Sequence, residues 1–426
     1  MTFMRLVYTL ILLLSLPFLM LRLYWRGRLL PTYRQRWLER LALGLPKACD
    51  ADRVIWIHAV SVGEVVVASK LIQCLQRDYP DHVLLVTTTT PTGSERLLQT
   101  WGDQVLHCYL PWDLPWAMSQ VFKRFNPRAV FLIETEIWPN LVAQANSTGV
   151  PIALLNARLS ARSARGYGRL GALLTPTLQS LDLIVAQTKA DARRFIALGV
   201  EPSRLAISGN IKFDQHLTPE LRGQAGVIRD QWGSSTREVW VAASTHEGEE
   251  QQLLRAYEAL AKQRPKLLLC IVPRHPDRFE RVFQMALAAN PKTIRRSSHP
   301  TIEADTQVVV ADTMGELVPM LGAADIVFMG GSLVPTGGHN MLEAAQWGVP
   351  VVSGPHTFNF AYASRLLIKA QAMLIAKDAE ELALVVSGLL ANETNRRVMG
   401  SRGQTAVEGE RGALERLVQA IKPLLA

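Results

Sequence analysis

Residues 329–355 read MGGSLVPTGGHNMLEAAQWGVPVVSGP, and the reading of this stretch decides the fold. An apolar run, Ile326–Met329, gives way to a glycine-rich loop. A helical stretch opening at Asn340 follows, and then a second apolar run, Val349–Ser353. That order is a strand–loop–helix–strand unit, and such units build an open parallel sheet with helices on both faces. Gly330, Gly331, Gly337 and Gly338 let the backbone approach a ligand closely, and a helix start at Asn340 favours phosphate. Glu343, one turn on, is placed to accept hydrogen bonds from a ribose diol.

Outward from this stretch the same rhythm recurs. Strand-like runs at Glu238–Ala243, Lys266–Val272 and Thr306–Val310 complete one series. An earlier series runs through Arg53–His58, Val83–Thr87, Ala129–Ile133, Pro151–Leu155, Leu183–Ala186 and Leu205–Ser208. The polar segment 215–237 interrupts the alternation and reads as a connection. The expectation is therefore an N-terminal segment 1–40 and two Rossmann-like α/β domains, 41–214 and 238–426, facing each other across a cleft. Neither series opens with a Walker loop or GxGxxG, which sets aside kinase and dinucleotide oxidoreductase readings. GxSxG is missing as well, so a serine hydrolase is disfavoured.

Composition narrows the class further. The chain has 426 residues, 48% hydrophobic and 19% charged, which excludes wholesale disorder. Cys49, Cys74, Cys108 and Cys270 stand far apart, which argues against a disulfide scaffold or a zinc ribbon. Of the net charge of +9, the first forty residues carry +6, from seven arginines against Glu39. A nucleic-acid binder would spread its basic charge over the folded surface, so no nucleic-acid partner is expected. Between Arg5 and Arg22 lie sixteen uncharged residues, LVYTLILLLSLPFLML. As a helix these extend roughly 24 Å, short of a ~30 Å hydrocarbon core unless the flanking arginines snorkel. A small-residue cleavage site does not follow, so the segment reads as a retained single-pass anchor. The arginines after it put the remaining chain on the cytoplasmic side, with anionic lipids as partners.

Several motifs sit at strand ends. HAVSVGE places Glu64 behind the first strand, either as an acid favoured by a helix amino end, with Ser61 as cap, or as a general base. ETEIWPN places Glu134 and Glu136 after another strand, and GNIKFD places Lys212 at the end of the first series. NARLSARSARGYGR spaces Arg158, Arg162, Arg165 and Arg169 for one helical face, either simply solvated or touching lipid phosphates. In the second series ASTHEGEE exposes Ser244, Thr245 and His246, and VPRHPDRF exposes Arg274. Asp50-Ala51-Asp52 fits DxD formally but precedes the first strand, so it reads as a surface turn. The nine histidines do not cluster with carboxylates, and no metal site is expected.

Taken in order, HAVSVGE, ETEIWPN, NARLS, GNIKFD, STHEGEE, VPRHPDRF, MGEL and GGHNMLEAA, behind the apolar segment, resemble the 3-deoxy-D-manno-octulosonic acid (Kdo) transferases over almost the full length. The resemblance implies a GT-B fold, with an N-terminal acceptor domain and a C-terminal domain for the donor CMP-Kdo. It also implies inverting transfer of Kdo to a tetraacylated lipid A precursor at the cytoplasmic face of the inner membrane. By the same resemblance Glu64 is the base, and Glu134 and Lys212 are transition-state stabilisers. CMP contacts fall on Pro273, Arg274, Met314, Gly315, Glu316, Asn340, Met341, Leu342 and Glu343. Because CMP carries a single phosphate, no metal or other cofactor is expected. A UDP-sugar-dependent lipid glycosyltransferase, a sugar-nucleotide epimerase of the same fold and a non-enzymatic membrane adaptor are the competing readings.

Overall fold

The computed structural model describes residues 3–28, 30–47, 54–214, 216–233, 237–299 and 301–426. The expected turn at Asp50–Asp52 lies outside the described residues. The chain divides into two compact units, residues 1–214 with 412–426, and residues 215–411.

In the first unit seven strands form one parallel sheet: β1 (Val54–His58), β2 (Val83–Thr88), β3 (Leu106–Tyr109), β4 (Pro127–Ile133), β5 (Ile152–Ala157), β6 (Leu183–Ala186) and β7 (Leu205–Ile207). Their order is β3-β2-β1-β4-β5-β6-β7. Both faces are covered by helices, so the central strands are apolar on both sides rather than alternating. Val54 and Trp56 of β1 enter one core, while Ile55 and Ile57 enter the other.

The second unit repeats the plan with β8 (Val239–Thr245), β9 (Leu268–Pro273), β10 (Thr293–Arg295), β11 (Val308–Val310), β12 (Ile326–Met329), β13 (Val351–Ser353) and β14 (Met373–Ile375). The order is β10-β11-β9-β8-β12-β13-β14, again parallel. Sequence periodicity finds the inner strands but misses β3, β10 and β14. All three are edge strands of only three or four residues, half in solvent, and in β3 and β10 polar side chains interrupt the apolar run.

Two domain boundaries differ from expectation. The segment 215–237 is no mere connection, because Thr218 caps a helix, Pro219–Gln231, whose Ala225 and Ile228 are buried in the second unit. The guanidinium of Arg229 there pairs with Asp325 at 2.9 Å. The last helix, Ala413–Ile421, belongs to the first unit instead of the second. Its Ala413, Leu417, Val418 and Ile421 join the core behind β1 and β4. The Asp214 carboxylate fixes its start by accepting the amides of Gly412 (2.7 Å), Ala413 (3.2 Å) and Leu414. Removing that acceptor in Asp214→Ala should cost about 1–2 kcal/mol, as loss of a helix cap does. The expected readout is a lower melting temperature with faster tryptic cleavage at Arg411 and Arg416.

Candidate active site

In each unit the strand order reverses beside the first strand, between β1 and β4 and between β8 and β12. Open parallel sheets bind ligands outside the carboxyl ends of their strands at such a switch point. The sequence motifs end up there.

In the first unit β1 runs into Ser61, which starts the helix Val62–Asp78 in an extended conformation without a side-chain cap bond. Glu64 takes over part of the cap. Its carboxylate reaches back to accept the Val60 amide at 2.6 Å and the Ser61 hydroxyl at 3.3 Å. Burial pushes the Glu64 carboxyl up to about 8; the Val60 amide opposes the shift, and the charges of Glu136 and Glu134 add to it. The helix-capping bonds and the raised carboxyl thus fall on the same side chain.

Across the switch point, Glu134 follows β4 with φ of 65°, a left-handed conformation uncommon outside glycine. Its amide donates to the Leu155 carbonyl at 2.9 Å, locking this turn to β5. Its carboxylate pairs with Lys212 at 3.3 Å. Glu136, two residues on, is half-buried, and burial followed by the Glu134 charge raises its pKa. Lys212 lies in a 3-10 turn, Ile211–Phe213, whose start is capped by Asn210. Asn156, also left-handed at φ 51°, accepts the Ile211 amide at 3.3 Å. Lys70, on the helix that bears Glu64, donates to the carbonyls of Ile211 (2.9 Å) and Asp214 (2.7 Å). Sequence reading passed over Lys70, because its partners are main-chain oxygens 141 and 144 residues away.

The arginine face needs one correction. The helix covers Ala161–Arg169 and is capped by Ser160, so Arg158 precedes it. The chain turns there because Leu159 is buried and its amide donates to Asp191 at 3.0 Å. Arg162, Arg165 and Arg169 remain on one exposed face. Tyr167 on the same helix donates to the Thr135 carbonyl at 3.4 Å, within the glutamate turn.

In the second unit the order β11-β9-β8-β12 sets four motif loops side by side. Pro273 ends β9, and the amide of the exposed Arg274 donates to the Thr245 carbonyl at 3.0 Å. Burial raises the pKa of Glu343, while Asn340 bonding to it at 3.0 Å and the Arg274 charge oppose that shift. The helix after Asn340 spans only Leu342–Ala345, with Met341 as its cap, so it is shorter and starts later than expected. Met341 and Leu342 are buried, and the Oδ1 of Asn340 is buried with no hydrogen-bond partner among the described residues. Met314 is 69% exposed beside Gly315, whose φ of 87° suits glycine. The Glu316 carboxylate accepts from Thr313 and from Arg296.

The glycine loop also differs from expectation. Most of its amides are turned inward. Gly330 donates to Ala243 at 2.8 Å and Gly338 to Gly331 at 2.6 Å. The fully buried Glu249 accepts the amides of Gly331 (2.7 Å), Ser332 (2.9 Å), Leu333 (2.9 Å) and His246 (2.9 Å). A Cβ at Gly330 would lie 2.5 Å from the Ser244 carbonyl oxygen, so here glycine is needed for close approach of two strand ends. Neighbouring Glu250, equally buried, forms a bidentate pair with Arg278 at 2.7 and 3.0 Å. Both acids stand in the quoted STHEGEE motif, yet nothing in spacing reveals that they face inward. His246 stacks on His339 with Nε2 atoms 2.7 Å apart, and burial depresses the pKa of both rings. Among the described residues no group of three His, Cys, Asp or Glu is arranged to hold a metal.

Comparison with known proteins completes the description. The family model for "3-Deoxy-D-manno-octulosonic-acid transferase (kdotransferase)" matches residues 35–215. A 3-deoxy-D-manno-octulosonic acid transferase of Haemophilus influenzae is 41% identical over 422 residues, 99% of each chain. One of Bordetella pertussis is 38% identical over 87% of each. Among solved structures, a UDP-GlcNAc 2-epimerase of Neisseria meningitidis aligns with TM-score 0.58 at 15% identity, covering 87% of this chain and 100% of that one. A glycosyltransferase of Rickettsia africae aligns with TM-score 0.58 at 12% identity, covering 88% and 99%. At such identities these two likenesses speak for the GT-B-like pairing of α/β units alone.

Glu249→Ala leaves four backbone amides without their acceptor, at about 1–3 kcal/mol for each one that stays buried. The expected result is a loss of more than ~3 kcal/mol in denaturant unfolding of the second unit, with Glu249→Gln losing less because it keeps one carbonyl acceptor.

Proposed function

The chain belongs to the 3-deoxy-D-manno-octulosonic acid transferase family, and from that premise we propose that it moves Kdo from CMP-Kdo to a tetraacylated lipid A precursor with inversion. The second unit holds the donor. The first supplies the acceptor site and the base. The N-terminal helix attaches the enzyme to the cytoplasmic face of the inner membrane. The observation that carries the reading is Glu64, a half-buried carboxyl raised to about 8 at the switch point, beside the Glu134–Lys212 pair.

A general base works best when its pKa lies near the working pH. The Glu64 carboxylate takes the proton of the acceptor hydroxyl as that oxygen bonds to the anomeric carbon of Kdo. The bond from this carbon to the CMP phosphate breaks, and its electron pair leaves with CMP. The transition state is oxocarbenium-like, so it gains from the negative field of Glu134, whose carboxylate Lys212 holds in place. On the donor side Arg274 neutralises the departing phosphate. Asn340 Oδ1 and Glu343 offer acceptors to the nucleoside, and the turn of exposed Met314 and Gly315 with half-buried Glu316 borders it. Pro273, Met341 and Leu342 shape the floor of that site. Arg162, Arg165 and Arg169, with Arg158 before them, meet lipid phosphates.

Product mass after incubation with CMP-Kdo and the tetraacylated precursor tests this reading. Gains in whole Kdo units are expected, lost by at least ~100-fold in Glu64→Gln, as removal of a general base costs. No gain, with protection from proteolysis by UDP instead of CMP, would overturn the donor assignment. Because the base must be ionised, kcat/KM should rise with pH and level off above about 8. Chelators should leave turnover unchanged, because one leaving phosphate is neutralised by Arg274 without a bridging cation.

A further inference from the structure

The helix Phe3–Arg26 is long and apolar enough to cross a membrane. Its contacts point to a different arrangement. Near its start, Tyr8 donates to the Asp113 carboxylate at 3.0 Å, and Asn140 donates to the Thr9 hydroxyl at 3.0 Å. Asp113 is fully buried and also accepts the amides of Asn140 (2.9 Å) and Leu141 (2.8 Å), which open the helix Pro139–Thr148. Midway, Leu12 and Leu16 pack against the core of the first unit. Near the helix end Leu23 is buried. Well past the helix, in the 3-10 turn Glu39–Leu41, the Trp112 amide donates to the Arg40 carbonyl at 2.9 Å, and the Arg40 guanidinium donates to the Thr89 carbonyl at 2.8 Å.

The first half of the helix is therefore held by one globular unit, and the chain after the helix returns to that unit at Arg40. Tyr8 and Leu16, both seated on that unit, are about 12 Å apart along the axis, a stretch that a crossing helix would carry into the interior of a ~30 Å hydrocarbon layer. Crossing would drag Asp113 and its bonded amides into lipid, or break the bonds and leave a buried carboxylate without its donors.

The opposite side of the helix is apolar and unpartnered. Phe3, Leu6, Leu10, Leu14, Phe18 and Leu21 are each more than half exposed. At about 100° per residue all six fall within an arc of roughly 120°, facing away from Tyr8, Leu12 and Leu16. Past this stripe, the Arg28 guanidinium lies 4.1 Å from the Trp25 ring and that of Arg34 lies 4.3 Å from the Tyr24 ring. An apolar stripe ending in arginine–aromatic pairs complements a single leaflet with anionic headgroups.

We propose that this helix lies in the plane of the membrane, seated on the first unit with its outer face sunk into one leaflet of an anionic bilayer. The inference rests on the membrane attachment proposed above and replaces the single-pass crossing expected from the apolar run. It has a consequence for the chemistry. Asp113 caps the helix that directly follows the Glu134–Glu136 turn, so the leaflet-seated helix and the acceptor-side acids share one rigid support. An acceptor that stays in the leaflet then meets the base without leaving lipid.

The test uses the full chain in spheroplasts of a Gram-negative host, with the four native cysteines changed to serine and a short hydrophilic cysteine tag placed before Met1. A membrane-impermeant maleimide is added to intact and then to permeabilised cells. The expected result is membrane-bound protein, a tag labelled only after permeabilisation, and an oxidative cross-link between Thr9→Cys and Asn140→Cys. Labelling of intact cells, or no cross-link in the membrane fraction, overturns the in-plane arrangement. Recovery in the soluble fraction overturns it together with the attachment. Product mass from the same cells judges the transferase reading separately, so a protected, cross-linked but inactive protein would uphold this inference while sinking that one.

Discussion

A carboxylate that collects backbone amides where one element ends and another begins is the interaction on which both units depend. Glu249 gathers four amides and binds the loop after β8 to the loop after β12. Asp113 holds the helix behind the glutamate turn, and Asp214 holds the returning C-terminal helix. Glu64 does the same with a single amide. Helix and loop starts leave donors without partners, and an ionised oxygen satisfies them more strongly than a neutral one. A parallel sheet offers many such starts along one edge, and the ligand sites lie there too. The groups that shape the site and those that carry its chemistry are therefore drawn from the same residue types.

That overlap explains the electrostatics of the first unit. Glu249 and Asp214 are surrounded by donors. Glu64 has few, and its neighbours Glu134 and Glu136 are also acids. Burial with few donors raises a carboxyl, as at Glu64. Lys212 resolves part of the conflict by pairing with Glu134, while Glu64 is raised chiefly by its burial. The left-handed turn at Glu134 is the backbone cost of turning that side chain toward the lysine; its amide bond to β5 sustains it.

Most of the inner strands were legible because both faces of each sheet are buried, which turns strands into apolar runs. Of the edge strands β7 was legible, whereas the short, half-exposed β3, β10 and β14 were not. Glu64, Glu134, Lys212, Arg274 and Glu343 were legible by position, because a residue just past a strand faces the carboxyl edge of the sheet. Other residues left no signal. Lys70, Asp113 and Glu249 act on main-chain groups of distant segments, and no local pattern records a partner of that kind. The glycine loop was visible, but not that its Gly331, Ser332 and Leu333 amides serve Glu249 and that Gly330 serves strand approach.

The sequence by itself determined the alternation of strands and helices, the sheet-edge position of the acids, the apolar N-terminal helix and the family. These follow from local periodicity and from motifs a few residues long. Tertiary structure alone decided that the last helix returns to the first unit, that Arg158 stands off the arginine helix, and that the first half of the N-terminal helix rests on one unit. Each of these depends on a carboxylate meeting a donor far away in the chain: 200 residues for the last helix, 32 for the turn at Arg158 and 105 for the N-terminal helix. Such meetings cost loop entropy that only a formed core repays, so they are settled when the chain packs and cannot be read beforehand.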